Sequence, residues 1–345
     1  METKYWNVEE THIDKNDTHI IEAAELLKRQ EVVAFPTETV YGLGADATNE
    51  QAVQRIFSAK GRPADNPLIV HLANKHQIQE VVEDIPAVAH QLIDHFLPGP
   101  LTLILKSNGA CAGNVTAGLS TVAIRIPDHP VAKAVLEACD LPLAAPSANR
   151  SGKPSPTTAQ HVYDDLQERI AGILDGGPTG VGVESTVLDC SGDIPVILRP
   201  GGVTKQDLEA VIGEVAVDGA LQNEQEKPKS PGMKYTHYAP EAPLWLIEGD
   251  VDFFRDQIQT LKQAGNKVGV IASTELAPSL SADWVETCGS RQDLRQVAEQ
   301  LYNALRAFHP EEMDVILCET FPKEGVGEAI MNRLTKAATQ KVTQT

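Results

Sequence analysis

Polar residues able to handle a phosphorylated or carboxylated substrate gather in six short stretches, each beside an apolar run. The first is FPTETVYGLGADA (35–47), where a strand-like run leads into Thr37, Glu38 and Thr39, then Gly42 and Gly44. Hydroxyls and a carboxylate at the C-terminal end of a strand face the crevice in which α/β sheets bind ligands. The glycines let backbone amides approach a ligand closely. The second, FSAKGRPADNPLIVH (57–71), sets Lys60 and Arg62 around Gly61, with His71 ending the next strand. A point charge and a planar fork in one proline-stiffened loop suit a triphosphate. Alone, K-G-R also reads as a solvated loop, and a single strand histidine as a structural one. The third is Arg125 inside the apolar run TVAIRI (121–126). A buried guanidinium needs an anionic partner, either a protein carboxylate or a substrate carboxylate.

The fourth stretch, APSANRSGKPSPTT (145–158), collects Ser147, Asn149, Ser151, Lys153 and Ser155. It reads as a hydroxyl-and-amide cradle or as the turn that caps the next helix. The fifth, DGGPTGVGVESTVLD (175–189), is glycine-rich and ends in Glu184, Ser185 and Thr186; the sixth, ILRPGG (197–202), ends a strand on Arg199. No G-x-x-x-x-G-K-[ST], H-E-x-x-H, EF-hand or G-x-S-x-G motif occurs. GVGEAI (325–330) stops short of a dinucleotide fingerprint, because Ile330 stands at the third glycine position. The five cysteines form no C-x-x-C pair and read as buried thiols, not as a zinc site or a disulfide framework. What remains favours binding and polarising phosphates over covalent catalysis.

These stretches need elements to position them. In residues 1–215 short β-branched runs alternate with amphipathic ones. Asp17 or Thr18 caps a helix bearing Ile20, Ile21, Ala24 and Leu27, and Asn49 caps one bearing Ala52, Val53, Ile56 and Phe57. VVAF, LIVHL, LTLIL, TVAIRI, GILD, STVLD and PVILR read as strands. Residues 129–139 and 157–170 read as helices. Polar, proline-bearing 216–242 reads as a linker. Beyond it, strand and helix alternate as in a small parallel α/β domain. A length of 345 residues fits about two domains. The net charge of −19 argues against a dedicated nucleic-acid-coating protein, though not against a local basic pocket. Neither a signal-peptide core nor an apolar run long enough to span a membrane is present, so a cytoplasmic protein is expected.

Taken together, FPTETVYGLGADA, K-G-R-P-x-x-N-P-L-I-V-H, P-G-P-L-T (98–102), R-I-P-D-H-P, A-P-S-A-N-x-S-G and E-S-T-V-L-D closely resemble the YrdC-like family. S-P-G-M-K-Y-T-H-Y-A-P (230–240) and the C-terminal α/β segment resemble its long, two-domain form. The resemblance spans essentially the whole chain. It implies a catalytic domain over 1–216, a linker and lid over 217–242 and a C-terminal domain over 243–345. The implied fold class is α/β: a twisted mixed sheet with surrounding helices and a concave cavity, plus a smaller Rossmann-like parallel-sheet domain. The implied activity is L-threonylcarbamoyladenylate synthesis. L-threonine, bicarbonate and ATP give threonylcarbamoyl-AMP and pyrophosphate, and other proteins then transfer the threonylcarbamoyl group to a tRNA adenosine. Mg²⁺ would accompany ATP, held mainly by phosphate oxygens.

By the same resemblance, Lys60, Arg62, Asn66, Thr121, Ser147, Asn149, Ser155 and Arg199 serve ATP, with Lys60 and Arg62 catalytic and Tyr235 closing over the nucleotide. Thr39, His71, Arg125, Ala145 and Ser185 serve threonine. The rival expectation is a non-catalytic module for double-stranded RNA or tRNA, which the acidic charge disfavours; direct tRNA contact is expected to be weak. Carbamoyl-phosphate chemistry on a related domain would bring acylphosphatase-like and zinc-finger segments, which the sequence lacks.

Overall fold

The computed structural model describes residues 2–8, 13–222, 238–309 and 311–345. It divides into two compact units, Met1–Ser151 with Ser155–Gly180 and Glu184–Lys234, and Gly152–Pro154 with Val181–Val183 and Tyr235–Thr345.

The first unit is built on eleven strands: β1 (Lys4–Asn7), β2 (Val33–Phe35), β3 (Gly42–Asp46), β4 (Ile69–His71), β5 (Leu101–Lys106), β6 (Thr121–Arg125), β7 (Leu143–Ala144), β8 (Gly172–Asp175), β9 (Thr186–Asp189), β10 (Val196–Arg199) and β11 (Ala216–Val217). They form one mixed sheet in the order β1-β8-β2-β3-β7-β4-β6-β5-β9-β10-β11. Parallel β4 and β6 put His71 beside Arg125 in register, while β7 runs antiparallel to β4. Val, Ile, Leu and Ala fill the core, as the low aromatic content requires.

Local chemistry sets the ends of the elements that carry polar residues. Asn49 accepts from the Ala52 amide and starts the helix Glu50–Lys60, a cap worth about 1 kcal/mol. Gly61, at φ 63°, ends that helix in the left-handed conformation open to glycine, so Lys60 is its last residue. After β2 the Thr37 hydroxyl donates to the Val40 carbonyl at 2.7 Å, folding Thr37–Val40 into a compact turn before β3.

Several boundaries differ from expectation. Ile21 is exposed; Ala23 takes the buried place on the first helix, whose cap is Asp17. The 157–170 helix covers only Ala159–Leu166 and is followed by Glu168 at φ 64°. The linker reading of 216–222 gives way to β11, which pairs with β10, and to a short helix, Gly219–Gln222. The sequence reading does not anticipate β1, β3 or the last strand of the second unit.

That second unit carries β12 (Leu244–Glu248), β13 (Val268–Ala272), β14 (Trp284–Thr287), β15 (Val315–Glu319) and β16 (Gln340–Thr343). The sheet order is β14-β13-β15-β12-β16, and every pairing is parallel. Helices Val251–Gln263, Leu294–Arg306 and Gly327–Ala337 connect the strands. No helix among the described residues is long and apolar enough to cross a membrane. All five cysteines are buried and unpaired.

Gly201, just past β10, lies where a side chain has no room. A Cβ there would come within 2.3 Å of the Thr186 amide nitrogen and 2.5 Å of the Glu184 carbonyl oxygen. Gly201→Ala therefore costs about 1–3 kcal/mol by overpacking. A thermal midpoint equal to that of the unsubstituted chain would show that the 184–186 backbone yields freely.

Candidate functional site

Loops of the first unit are stitched together by backbone hydrogen bonds. Leu43 donates to the Pro146 carbonyl, Ala145 to Ile69, Ala148 to Tyr41 and Thr186 to Pro100, at 2.7–3.0 Å. The stretches singled out in the sequence, far apart along the chain, are thereby held as neighbours.

Arg125 is 3% exposed at the end of β6. Its Nη1 donates to Thr39 Oγ1 at 2.8 Å and its Nε to the Gly99 carbonyl at 3.3 Å. Its Nη2 lies 2.7 Å from Glu38 Oε1. That contact is an ion pair without hydrogen-bond alignment: Nη2 and both Glu38 oxygens are buried with no hydrogen bond among the described residues. Glu38 thus supplies the protein carboxylate that the buried guanidinium needs. Glu38 was noted only as part of a polar turn; its place two residues past Pro36, at the mouth of β2, was the available signal.

His71 stands beside Arg125 in register. Burial, reinforced by the Arg125 charge, pushes its imidazole down to about 3, so the ring is neutral at physiological pH. Nδ1 lies 3.3 Å from the Ile69 carbonyl, and the ring meets Phe35 edge-on at 6.4 Å. Donation from Nδ1 to that carbonyl would leave Nε2 as an acceptor.

Lys60 is 3% exposed. Its ammonium donates to the Ser147 carbonyl, to the Asn149 carbonyl at 2.8 Å and to Asn149 Oδ1 at 3.3 Å. Ser147 Oγ in turn donates to Asn149 Oδ1 at 2.6 Å. Lys60 thus shapes the 147–149 loop from the last position of its helix. Arg62 donates to the Asn66 carbonyl at 3.2 Å and sits over the Phe57 ring.

Arg199 clamps Ser185: Nε and Nη2 donate to its carbonyl at 3.1 and 3.0 Å, and Nη2 to its hydroxyl at 3.2 Å. Ser185 Oγ also shares a 2.8 Å hydrogen bond with Thr102 Oγ1. Ser155 donates to Glu184. Ala145 is buried, its amide spent on Ile69. Thr121 opens β6, roughly 13 Å along the strand from Arg125, and does not join that cluster. Tyr235 lies outside the described residues, as do 230–237 of the lid segment. Tyr238 is buried, stacked on Tyr302 at 5.5 Å. Among the described residues no three His, Cys, Asp or Glu side chains gather to hold a metal ion.

Residues 25–201 match the Sua5–YciO–YrdC family model, described as telomere recombination. Residues 203–339 match the model described as threonylcarbamoyl-AMP synthase, C-terminal domain. A threonylcarbamoyl-AMP synthase of Bacillus subtilis (strain 168) is 57% identical over 99% of both chains. One from Pyrococcus abyssi is 47% identical over 93% of this chain and 94% of its own. The crystal structure of P. abyssi Sua5 complexed with L-threonine superposes with a TM-score of 0.93 at 44% identity, covering 99% of this chain and 100% of that one. With its mixed sheet, its stitched polar loops and both family domains in order, the chain belongs to the Sua5–YciO–YrdC family, in the two-domain form that carries the threonylcarbamoyl-AMP synthase C-terminal domain.

Proposed function

We propose that the chain makes threonylcarbamoyl-AMP from L-threonine, bicarbonate and ATP, releasing pyrophosphate, and that other proteins carry the product to a tRNA adenosine. The observation that carries this reading is the convergence of Arg125, Thr39 and His71 at adjacent strand ends, in a chain that matches a threonine-bound relative over its whole length. Threonine would set its carboxylate on the Arg125 guanidinium. Thr39, neutral His71, Ser185 and the Ala145 backbone would surround the rest. The threonine amine would attack the bicarbonate carbon and give up one N–H proton as the bicarbonate hydroxyl leaves, the two departing as water, and an oxygen of the resulting N-carboxylate would attack the α-phosphorus as the α–β phosphoanhydride bond breaks and pyrophosphate leaves. The chain's contribution to such a step is alignment and charge neutralisation. Arg62 and Arg199 would face the phosphates, and Asn66, Thr121, Ser147, Asn149 and Ser155 would place the nucleotide. Magnesium would arrive with the triphosphate as part of the substrate. Lys60 would contribute its field while holding the 147–149 loop, so Arg62 is the cleaner probe of phosphate binding.

The central test is pyrophosphate release from ATP. Release should require threonine and bicarbonate together and fall by about 10²-fold or more in Arg62→Ala. Release without threonine, or undiminished in Arg62→Ala, would sink the assignment.

Arg125→Ala should raise the threonine concentration needed for turnover at least about tenfold while leaving the ATP dependence in place. It also strands Glu38, a cost of about 3–5 kcal/mol. The double variant Arg125→Ala with Glu38→Gln should recover much of that stability but none of the threonine binding. If threonine binding returns with stability, Arg125 serves the fold alone.

His71 has a lowered folded pKa, so the unfolded chain takes up the proton first. Its contribution to stability is complete above the unfolded value of 6.5 and is lost as pH falls toward about 3. The ring protons of His71 should hold their NMR shifts from about pH 8 to pH 5. A midpoint near 6.5 would show an accessible imidazole.

A further inference from the structure

The second unit takes in two short segments that are remote in sequence from its sheet, Gly152–Pro154 and Val181–Val183. Both adjoin residues of the proposed site. Ser151, whose amide donates to the Lys60 carbonyl at 2.9 Å, precedes the first segment, and Ser155 follows it. Glu184 and Ser185 follow the second.

Within the second unit one helix, Leu294–Arg306, holds both segments. Its last residue, Arg306, donates from Nη2 to the Pro154 carbonyl. Gly182, at φ 78°, lies against its middle: a Cβ there would fall 2.3 Å from the Ala298 carbonyl oxygen and from the Glu299 Cα. Glycine alone permits so close a backbone approach. The Ala239 amide adds a hydrogen bond of 3.0 Å to the Gly152 carbonyl, and Lys153 pairs with Glu241 at 2.8 Å. That ion pair is exposed and worth little, so the helix supplies the firm anchors.

In the first unit the continuations of the two segments are joined. Ser155 donates to Glu184, and the Thr179 amide donates to the Thr157 carbonyl at 3.0 Å. Ser155 and Ser185 are both buried, and Arg199 fixes Ser185 from a different strand. Packed groups of this kind transmit a displacement instead of absorbing it. Pro154 immediately precedes Ser155, and Gly182 stands only a short step before Ser185, so a shift of the helix reaches both hydroxyls through the main chain.

We infer that the helix Leu294–Arg306 sets the spacing of the nucleotide and threonine subsites, with Arg306 and Gly182 as positioning residues. The inference rests on the reading that places Ser155 at the nucleotide and Ser185 at threonine. By linkage, ligands that fix the two loops must also steady the helix.

Arg306→Met keeps the aliphatic stem and removes the donor. It should raise the ATP and threonine concentrations for half-maximal turnover at least about fivefold, whereas a loss of folded protein alone lowers the rate and leaves those concentrations in place. Arg306→Lys, which can still donate to Pro154, should restore most of the affinity. Gly182→Ala, at the other anchor, should act as Arg306→Met does. In the unsubstituted chain, ATP and threonine together should slow amide exchange across 294–306 at least about fivefold. Unchanged half-saturating concentrations in the folded variants, or exchange in the helix indifferent to the ligands, would overturn the inference. Ser155→Ala and Ser185→Ala separate it from the reading beneath it. If they leave both concentrations unchanged, the subsites are misplaced and the positioning falls with them; if they raise them while Arg306→Met and Gly182→Ala do not, the positioning alone falls.

Discussion

A guanidinium carried inside an apolar strand constrains everything around it. Arg125 cannot be buried at the end of β6 without oxygen partners, and two different segments supply them: the turn that carries Glu38 and Thr39, and the loop that carries the Gly99 carbonyl. Those segments are consequently fixed relative to β6 and to His71 on the neighbouring strand. The Thr37 turn, the loop before β5 and the register of β4 with β6 all serve one charge. Removing it would leave the Glu38 carboxylate without its charge partner.

The fold was largely legible because its central strands are continuous β-branched runs and its helices start at identifiable caps. Asp17, Asn49 and Thr204 each accept from the first turn they begin. The glycine-bearing β3, inside the first sheet, went unread because GLGAD carries no β-branched residue; the other two unread strands sit at sheet edges. β1 offers one buried residue, Trp6, among polar neighbours, and β16 is exposed along nearly all its length. Such strands exist because a partner edge is available, which no local pattern reports. The 157–170 helix was overextended for a related reason: its periodicity continues past Leu166, but Glu168 takes a positive φ that composition does not announce.

Residue types located the site more readily than they assigned its contacts. Lys60, Arg62, Ser147 and Asn149 stood out by type and spacing, yet nothing in K-G-R says that the ammonium turns inward to three oxygens of the 147–149 loop. Arg125 demanded an anion, yet Glu38 became its partner only once β2 and β6 were placed in one sheet.

The clamp on Ser185 has a consequence for how a hydroxyl can discriminate. Arg199 can only donate, so Ser185 Oγ accepts from it and has a single proton to direct elsewhere. Toward Thr102, either oxygen can be the donor. When the Ser185 proton points to Thr102, the serine offers its surroundings an acceptor. When Thr102 supplies its own proton, the serine proton is released outward. Two hydroxyl rotors turning in concert therefore reverse the polarity of the contact with no heavy atom displaced, and the guanidinium keeps the oxygen in place through both settings.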